Sequence, residues 1–571
     1  MKYPALAFSL VVLAGMALMG CPPTTRPTPS KPTGAPPLFE DVTQRAGIVF
    51  HHENGAKQNK FYFPETTPAG GALFDLNNDG WLDIVLIQSG TLDRMDAPEN
   101  GRCKLYLNDG TGKFRDATPG SGLDASLGYC HGVTIGDIDN DGYSDLFITS
   151  FAGNHLFHNE KGSGKFTNVT AAWGLNQRHS TGYATSAAFG DYDNDGRLDL
   201  YICYYCPWEK SKDKICKGSN GERDYCAPEI YPIDEHQLFH NEGTRFSDVS
   251  KATGISSKKG RGLAVSFIDF DSDGWSDIYV ANDLSGNFLW KNLKGKRFKD
   301  VGTEAGCAFS TSGALMAGMG IAITDYDHSG QESLFVTNFQ NTPNALFKNS
   351  GSGFFDDVST MTQVGPLHLP YLSFGCAFLD YDADGWPDLL TANGHVQREG
   401  KGLEGMKQPK QLLHSEEGKR FRDVKENLGP LATPTVARGL AVGDFDNDGR
   451  MDALFTNQND SPQLLRNQDQ SANHWISFKT IGIKSNKDGY QTRLRLISAD
   501  KIRLESVRSA SSFLCASDPR VYFGLGAQTK VDKLEVQWPS GTRETLEALD
   551  ADYCYILTEG KGITGTLPRR K

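Results

Sequence analysis

The feature that most constrains this chain is an acidic string, Asp-x-Asp-x-Asp-Gly-x-x-Asp, that recurs seven times along 571 residues. The copies are FDLNNDGWLDIV from Phe74, GDIDNDGYSDLF from Gly136, GDYDNDGRLDLY from Gly190, IDFDSDGWSDIY from Ile268, TDYDHSGQESLF from Thr324, LDYDADGWPDLL from Leu379 and GDFDNDGRMDAL from Gly443. Their first aspartates are 62, 54, 78, 56, 55 and 64 residues apart. A period of that size marks an array of supersecondary units, none able to bury its apolar face alone. Dividing the length into independent domains therefore does not apply.

Each string follows small and apolar residues, such as SAAF before Gly190, and leads into apolar ones, such as LDLYIC. That reads as strand, tight acidic loop, strand. A third run ends alike at Asn108, Asn159, Asn241, Asn292, Asn349, Ser415 and Asn467, where asparagine reads as a turn residue tolerating left-handed backbone. A fourth run (KFRDAT, KFTNVT, RFSDVS, RFKDV, FFDDVS, RFRDV) follows only six of the seven. The missing copy is LFEDVT at 38–43, ahead of the first loop. A strand displaced in this way completes the last unit, closes a circle and leaves no open edge. The expected fold is all-β, a seven-bladed β-propeller over 38–468. The 62 glycines and 26 prolines suit turn-rich β structure and exclude a helical bundle.

Carboxylates at positions 1, 3, 5 and 9 of each string fall around one turn, with glycine at 6 permitting the bend. Hard oxygen donors in irregular array suit Ca²⁺. The expected ligands are Asp75, Asn77, Asp79 and Asp83; Asp137, Asp139, Asp141 and Asp145; Asp191, Asp193, Asp195 and Asp199; Asp269, Asp271, Asp273 and Asp277; Asp380, Asp382, Asp384 and Asp388; and Asp444, Asp446, Asp448 and Asp452. An EF-hand begins similarly but needs Glu at position 12 and flanking helices, whereas position 12 of the third copy is Ile202 in an apolar run. Zinc and copper are disfavoured because no His or Cys stands at a ligand position. Carboxylates packed this closely without a cation would repel strongly. The fifth copy keeps Asp325 and Asp327 but has Ser329, Glu332 and Ser333 where carboxylate ligands or their neighbours stand elsewhere. About six calcium sites and a degenerate seventh are expected.

Lys+Arg is 58 against Asp+Glu 70, a net charge of -12 that argues against nucleic acid as a partner. Residues 1–21 carry one cation, Lys2, then an apolar run from Ala5 to Met19. This is the build of a secretory signal rather than a membrane span. Its ending, Leu18-Met19-Gly20-Cys21, resembles a bacterial lipobox. That implies an exported chain, periplasmic or cell-surface facing, whose contact with the membrane is a lipid on Cys21. Residues 22–37, rich in Pro and Thr, read as a semi-rigid spacer.

The ten other cysteines point to disulfides in an oxidising compartment. Cys203, Cys206, Cys216 and Cys226 fall in the longest spacing and read as staples of an insertion, since the last two are too far apart for a zinc ribbon. Pro207 excludes a c-type haem attachment. No G-x-S-x-G elbow, H-E-x-x-H or phosphate-binding loop occurs. His51, His52, Glu53, His395 and Arg438 remain as acid–base candidates, weighed against structural roles. From 469 to 560 apolar and polar residues alternate, with turns at Gly489 and Gly541, so a small β-sandwich-like module is expected, followed by a tail at 561–571. Cys515 and Cys554 are the only cysteines of that module and are expected to pair.

The repeats resemble FG-GAP/VCBS propeller repeats, the design of the integrin α-chain head. SNKDG at 485–489, VRSASSFL at 507–514, DPRVYFGLG at 518–526 and VDKLEVQWPSG at 531–541 resemble the ASPIC/UnbV region of cartilage-acidic-protein-like proteins. YQTRL follows SNKDG where that family more often has IGARV. The resemblance also implies a Cys216–Cys226 pair, the second cysteine standing in the family's YCAP context. The expected function is a surface-tethered binding or adhesion module for an extracellular protein or glycan. The rival is a calcium-dependent polysaccharide lyase or hydrolase, which would need a pocket where ionisable groups outside the acidic loops converge.

Overall fold

The structure, a computed structural model, describes residues 36–570 other than 98–99, 152, 176–181, 219, 399–400 and 499–500. The signal, Cys21 and most of the spacer lie outside the described residues. Every acidic string joins two antiparallel strands, and seven sheets follow, numbered I to VII here. Their first strands are Gly71–Phe74, Tyr129–Gly136, Ala184–Gly190, Gly262–Ile268, Ile321–Thr324, Ser373–Leu379 and Ala437–Gly443. These strands are buried along their length, which is why they read as unbroken small and apolar runs rather than alternating ones.

Sheets II to VI are four-stranded meanders in chain order, whereas sheet VII takes its fourth strand from the N-terminus. Phe39–Asp41 pairs antiparallel with Gln463–Asn467 in the register Phe39 to Asn467 and Asp41 to Leu465. Sheet I shows the same register within its own repeat, Phe114 to Asn108 and Asp116 to Tyr106. Adjacent sheets share buried cores. Leu105 and Val85 of sheet I meet Leu146 and Phe157 of sheet II, and the succession returns on itself where Leu454 and Leu464 of sheet VII pack with Leu73 and Ile84 of sheet I.

The asparagines that end the third strands are turn residues, but through their side chains: Asn108, Asn241, Asn349 and Asn467 Oδ1 accept the N–H two residues on, and Asn159 and Asn292 Oδ1 the N–H three residues on. None of the six has positive φ. Each amide nitrogen also ties its sheet to the preceding acidic loop. Asn159 Nδ2 donates to Leu76 O at 3.0 Å, Asn241 to Ile138 O at 2.8 Å, and Asn108 to Phe445 O at 2.9 Å across the join of sheets VII and I. Left-handed backbone falls at position 4 of all seven loops, Asn78, Asn140, Asn194, Ser272, His328, Ala383 and Asn447. Asparagine suits that conformation, and its amide also reaches the next loop, as in Asn194 to Gly274 O at 3.1 Å and Asn447 to Gly80 O at 2.8 Å.

Beyond residue 470 two further four-stranded sheets pack together. Ile476, Phe478 and Phe523 from one meet Leu494, Leu534 and Trp538 from the other in a common core. The strand Gly562–Thr566 pairs with Cys554–Thr558, so this unit extends past the expected boundary at 560. One part of it leaves. The segment 507–518 runs down among the first strands of the seven sheets. Ser509 Oγ donates to Phe189 O, Ser266 Oγ donates to Ala510 O, Ser512 N and O bond Ile321, and Val133 N donates to Leu514 O. Cys515–Ala516 then pairs parallel with Gly71 and Ala72 as a fifth strand of sheet I. Gly132 makes room for it, since a Cβ there would stand 2.9 Å from the Leu514 Cα. This path overturns the expected Cys515–Cys554 disulfide. Cys515 lies in the channel segment and Cys554 on an inner strand of the C-terminal unit, beside Ser477, and both are free thiols. Cys216 and Cys226 are bonded to each other.

Candidate metal centres

In each complete loop the four carboxylates do different work. In the third, Asp191 accepts the N–H groups of Asp195 (3.1 Å) and Gly196 (2.9 Å), curling the loop around its own first carboxylate. Asp195 accepts Arg197 N at 2.9 Å. Asp199, at position 9, accepts Tyr192 N at 3.1 Å with one oxygen and Asn241 N at 2.9 Å with the other, pinning the loop to the third strand. The same pair of hydrogen bonds recurs at Asp83, Asp145, Asp277, Asp388 and Asp452. Position 9 is therefore a staple as well as a candidate ligand, each oxygen keeping a lone pair for a cation.

The loops bring the expected ligands together. Ligand atoms of Asp137, Asp139 and Asp145, and of Asp191, Asp193 and Asp195, lie within 4.8 Å of one another. Several buried oxygens are left without a partner: Asp75 Oδ1, Asp193 Oδ1, Asp271 Oδ1, Asp380 Oδ1, Asp382 Oδ1 and Asp446 Oδ1. Burial and mutual repulsion push Asp83, Asp137 and Asp444 each up to about 8. Orphaned, desolvated carboxylate oxygens of this kind fit a hard divalent cation.

No His or Cys stands at a ligand position of the strings themselves, but the fold brings histidines to three of the loops from elsewhere. His158, His240 and His414 come in from the third strands, each one residue before its terminal Asn or Ser. His158 Nε2 lies 3.1 Å from Asp139, His240 Nδ1 3.1 Å from Asp199, and His414 Nδ1 3.1 Å from Asp388. The equivalent residues elsewhere are Lys291 toward Asp271, Lys348 toward Asp327 and Arg466 toward Asp446. Sheet I has Leu107 there, and Lys479 from the C-terminal unit reaches Asp75 at 2.9 Å instead. The signal was present, a basic residue before the end of six of seven third strands.

The C-terminal unit sits on this loop-bearing end. Asp488 accepts Asp137 N at 2.7 Å, Gln491 Oε1 accepts Asp191 N at 3.1 Å, Arg493 meets Asp269 at 3.1 Å, and Arg520 donates to Asp444 O at 2.8 Å. The YQTRL turn that departs from the family pattern thus supplies docking contacts from three residues, Tyr490, whose hydroxyl donates to Ile135 O at 3.1 Å, Gln491 and Arg493.

Of the acid–base candidates, His51 and Glu53 are exposed, Glu53 pairing with Lys57 on the surface, whereas His52, His395 and Arg438 are held in structural bonds. His52 is buried with Nε2 3.1 Å from Ser89 Oγ, and burial lowers it to about 3. His395 Nδ1 accepts Gln397 N at 3.0 Å. Arg438, fully buried, donates to the carbonyls of Thr66, Gly394, Ala437 and His395.

Residues 75–148, 137–202 and 269–336 match the FG-GAP-like repeat family, and residues 482–564 match the ASPIC and UnbV family. Cartilage acidic protein 1 of Xenopus tropicalis is 24% identical over 505 residues, 75% of this chain and 73% of that protein. The mouse protein of the same name is 26% identical over 354 residues, 57% of this chain and 48% of its own length. The chain thus spans about half of the mouse relative. Among solved structures, an Agrocybe aegerita lectin recognising non-reducing terminal N-acetylglucosamine aligns at TM-score 0.38 and 15% identity, over 64% of this chain and 83% of that one. YCF48 bound to D1 peptide aligns at TM-score 0.39 and 10% identity, over 71% and 93%.

Proposed function

We propose that this chain, built of FG-GAP-like repeats and an ASPIC and UnbV domain, is an exported, calcium-stabilised binding module. In this reading the seven sheets are the blades of one closed, integrin-α-like β-propeller and the C-terminal unit is a β-sandwich-like lid on its acidic end. A lipid on Cys21 and the 22–37 spacer hold it at a membrane surface. Its ligand is an extracellular protein or glycan. The observation that carries the calcium is the set of orphaned, buried carboxylate oxygens repeated around the loops. The binding reading is favoured over the enzymatic one because His52, His395 and Arg438 are committed to structural hydrogen bonds.

The test is a screen of residues 36–571 against matrix glycans and surface proteins, with calcium and after chelation. A ligand captured only in calcium supports the module; catalytic turnover of a polysaccharide would replace it with the rival. Ring closure is tested by truncation. Removing 38–43 strips buried Phe39 and Val42 and opens the edge of sheet VII, which should cost at least about 3 kcal/mol and abolish protease resistance. Removing 22–37 should change neither. Equal tolerance of both truncations would mean the ring is not latched by this strand.

A further inference from the structure

We infer that Cys103 and Cys130 are a modification site, the two halves of a disulfide that joins sheet I covalently to sheet II. This goes beyond the binding reading and does not rest on it. Cys103 stands just ahead of the third strand of sheet I, Lys104–Asn108, and Cys130 lies in the first strand of sheet II, Tyr129–Gly136. Both are free thiols in the structure and wholly buried. They share one core with Leu105, Leu127 and Val133.

Two segments of the chain are laid side by side at this place. Ser126 Oγ donates to Ala97 O at 2.9 Å, and Asn100 Nδ2 donates to Gly128 O at 3.0 Å. Gly101 presses closer still, since a Cβ there would stand 2.2 Å from Gly128 O. Two residues further along each segment Cys103 meets Cys130, side chain against side chain. This contact, then burial, pushes the Cys130 thiol well above its ordinary range. Each sulfur also has a backbone carbonyl in reach, Gly101 O at 3.8 Å from Cys103 and Leu127 O at 3.4 Å from Cys130. A thiol is a weak donor, so these contacts do not hold the pair apart. A disulfide requires side chains that face one another, and these two do. The other buried free cysteines have no such arrangement. Cys203, Cys206, Cys307, Cys376 and Cys515 fall in five other cores, where each serves as a small apolar side chain.

Burial keeps the folded pair from an oxidant, so the bond forms as the segments come together, by exchange with an external disulfide such as oxidised glutathione. One cysteine thiolate attacks that disulfide and expels one glutathione thiolate; the second cysteine thiolate attacks the protein sulfur of the mixed disulfide and expels the other. Two electrons pass to glutathione, and the two protons lost by the cysteines end on the released thiols. Sheet I is the sheet whose parallel partner comes from residues 515 and 516, and the bond would fix its place beside sheet II before that strand arrives.

The experiment reduces and unfolds the full chain, refolds it with calcium in a mixture of oxidised and reduced glutathione, blocks free thiols with iodoacetamide in denaturant and maps the peptides without reduction. A peptide carrying Cys103 should be joined to one carrying Cys130, with the Cys216–Cys226 bond as internal reference. Alkylated Cys103 and Cys130 beside an intact Cys216–Cys226 bond, or either cysteine joined elsewhere, overturns the proposal. In Cys103→Ala, Cys130 should be alkylated. Dithiothreitol should then lower the parent's melting temperature at least about 3 °C more than the variant's, as expected for a bond closing a loop of about 27 residues. Equal shifts also overturn the proposal. Should Cys103→Ala fail to fold, the peptide map of the parent decides alone. The oxidant is supplied in the tube, so failure here leaves export, calcium binding and the ligand untouched, and their failure leaves this bond standing.

Discussion

The third and fifth acidic loops occupy equivalent places in their sheets and have opposite chemistry. The third gathers Asp191, Asp193, Asp195 and Asp199 around an unpartnered Asp193 oxygen. The fifth has lost two of these carboxylates, and protein groups fill in. Arg508 from the C-terminal unit meets Glu332, while Lys348 meets Asp327 as His240 meets Asp193 in the third loop. The turn itself survives, Asp325 still accepting Gly330 N at 3.0 Å, and so does half of the staple, Ser333 Oγ accepting Asn349 N at 3.2 Å. Position 9 therefore has two separable jobs, holding the third strand and holding charge. The fifth loop keeps the first and gives up the second.

Removing calcium should expose this contrast most. A cation bound to the folded loops stabilises by about 2.7 kcal/mol per site at a hundredfold excess over its dissociation constant, so chelation should lower the melting temperature by at least about 10 °C. Equilibrium dialysis should count about six ions; an unchanged midpoint or a full seven would break the distinction between the loops. Next comes Arg508→Met, which leaves the buried Glu332 carboxylate without its guanidinium and should cost about 3 kcal/mol without altering the calcium count. Adding Glu332→Gln should recover most of that loss, and failure to recover would mean Arg508 acts elsewhere. Asp193→Ala should then remove one bound ion and about 2 kcal/mol in saturating calcium, against under about 1 kcal/mol for Asp327→Ala. Equal losses would erase the ranking. The smallest effect isolates the staple. In calcium-free buffer Asp199→Ser should be about 1 kcal/mol more stable than Asp199→Ala, because the hydroxyl can still accept Asn241 N. No difference would assign position 9 to the metal alone.

The strands and loops were legible because each repeat announces itself locally, through small apolar residues, the acidic turn and the FxD ending. The displaced strand at Phe39–Asp41 was legible as a missing copy. Contacts that join distant parts of the chain were not. Lys479 to Asp75 and Gln491 to Asp191 link residues about 300 to 400 positions apart, and no periodicity encodes them. Pairing Cys515 with Cys554 failed because both were assigned to one module, whereas SASSFLCA, with its small side chains, is shaped for a narrow channel among other strands. The turn role of the end-of-strand asparagines was legible because it is local; their second role, tying one sheet to the preceding loop, needs the neighbouring sheet in place.

The channel segment also bears on the order in which the molecule can be made. Residues 71 and 72 find their parallel partner only at 515 and 516, so the first sheet to leave the ribosome is among the last to be finished. Pairing across such a span is entropically slow. The sheets must also assemble around a strand that arrives after all seven have been synthesised, rather than zipping up repeat by repeat as an open solenoid can. Until that strand arrives the first sheet lacks its parallel partner, which would leave time for chaperones to engage a chain not yet committed to its final shape.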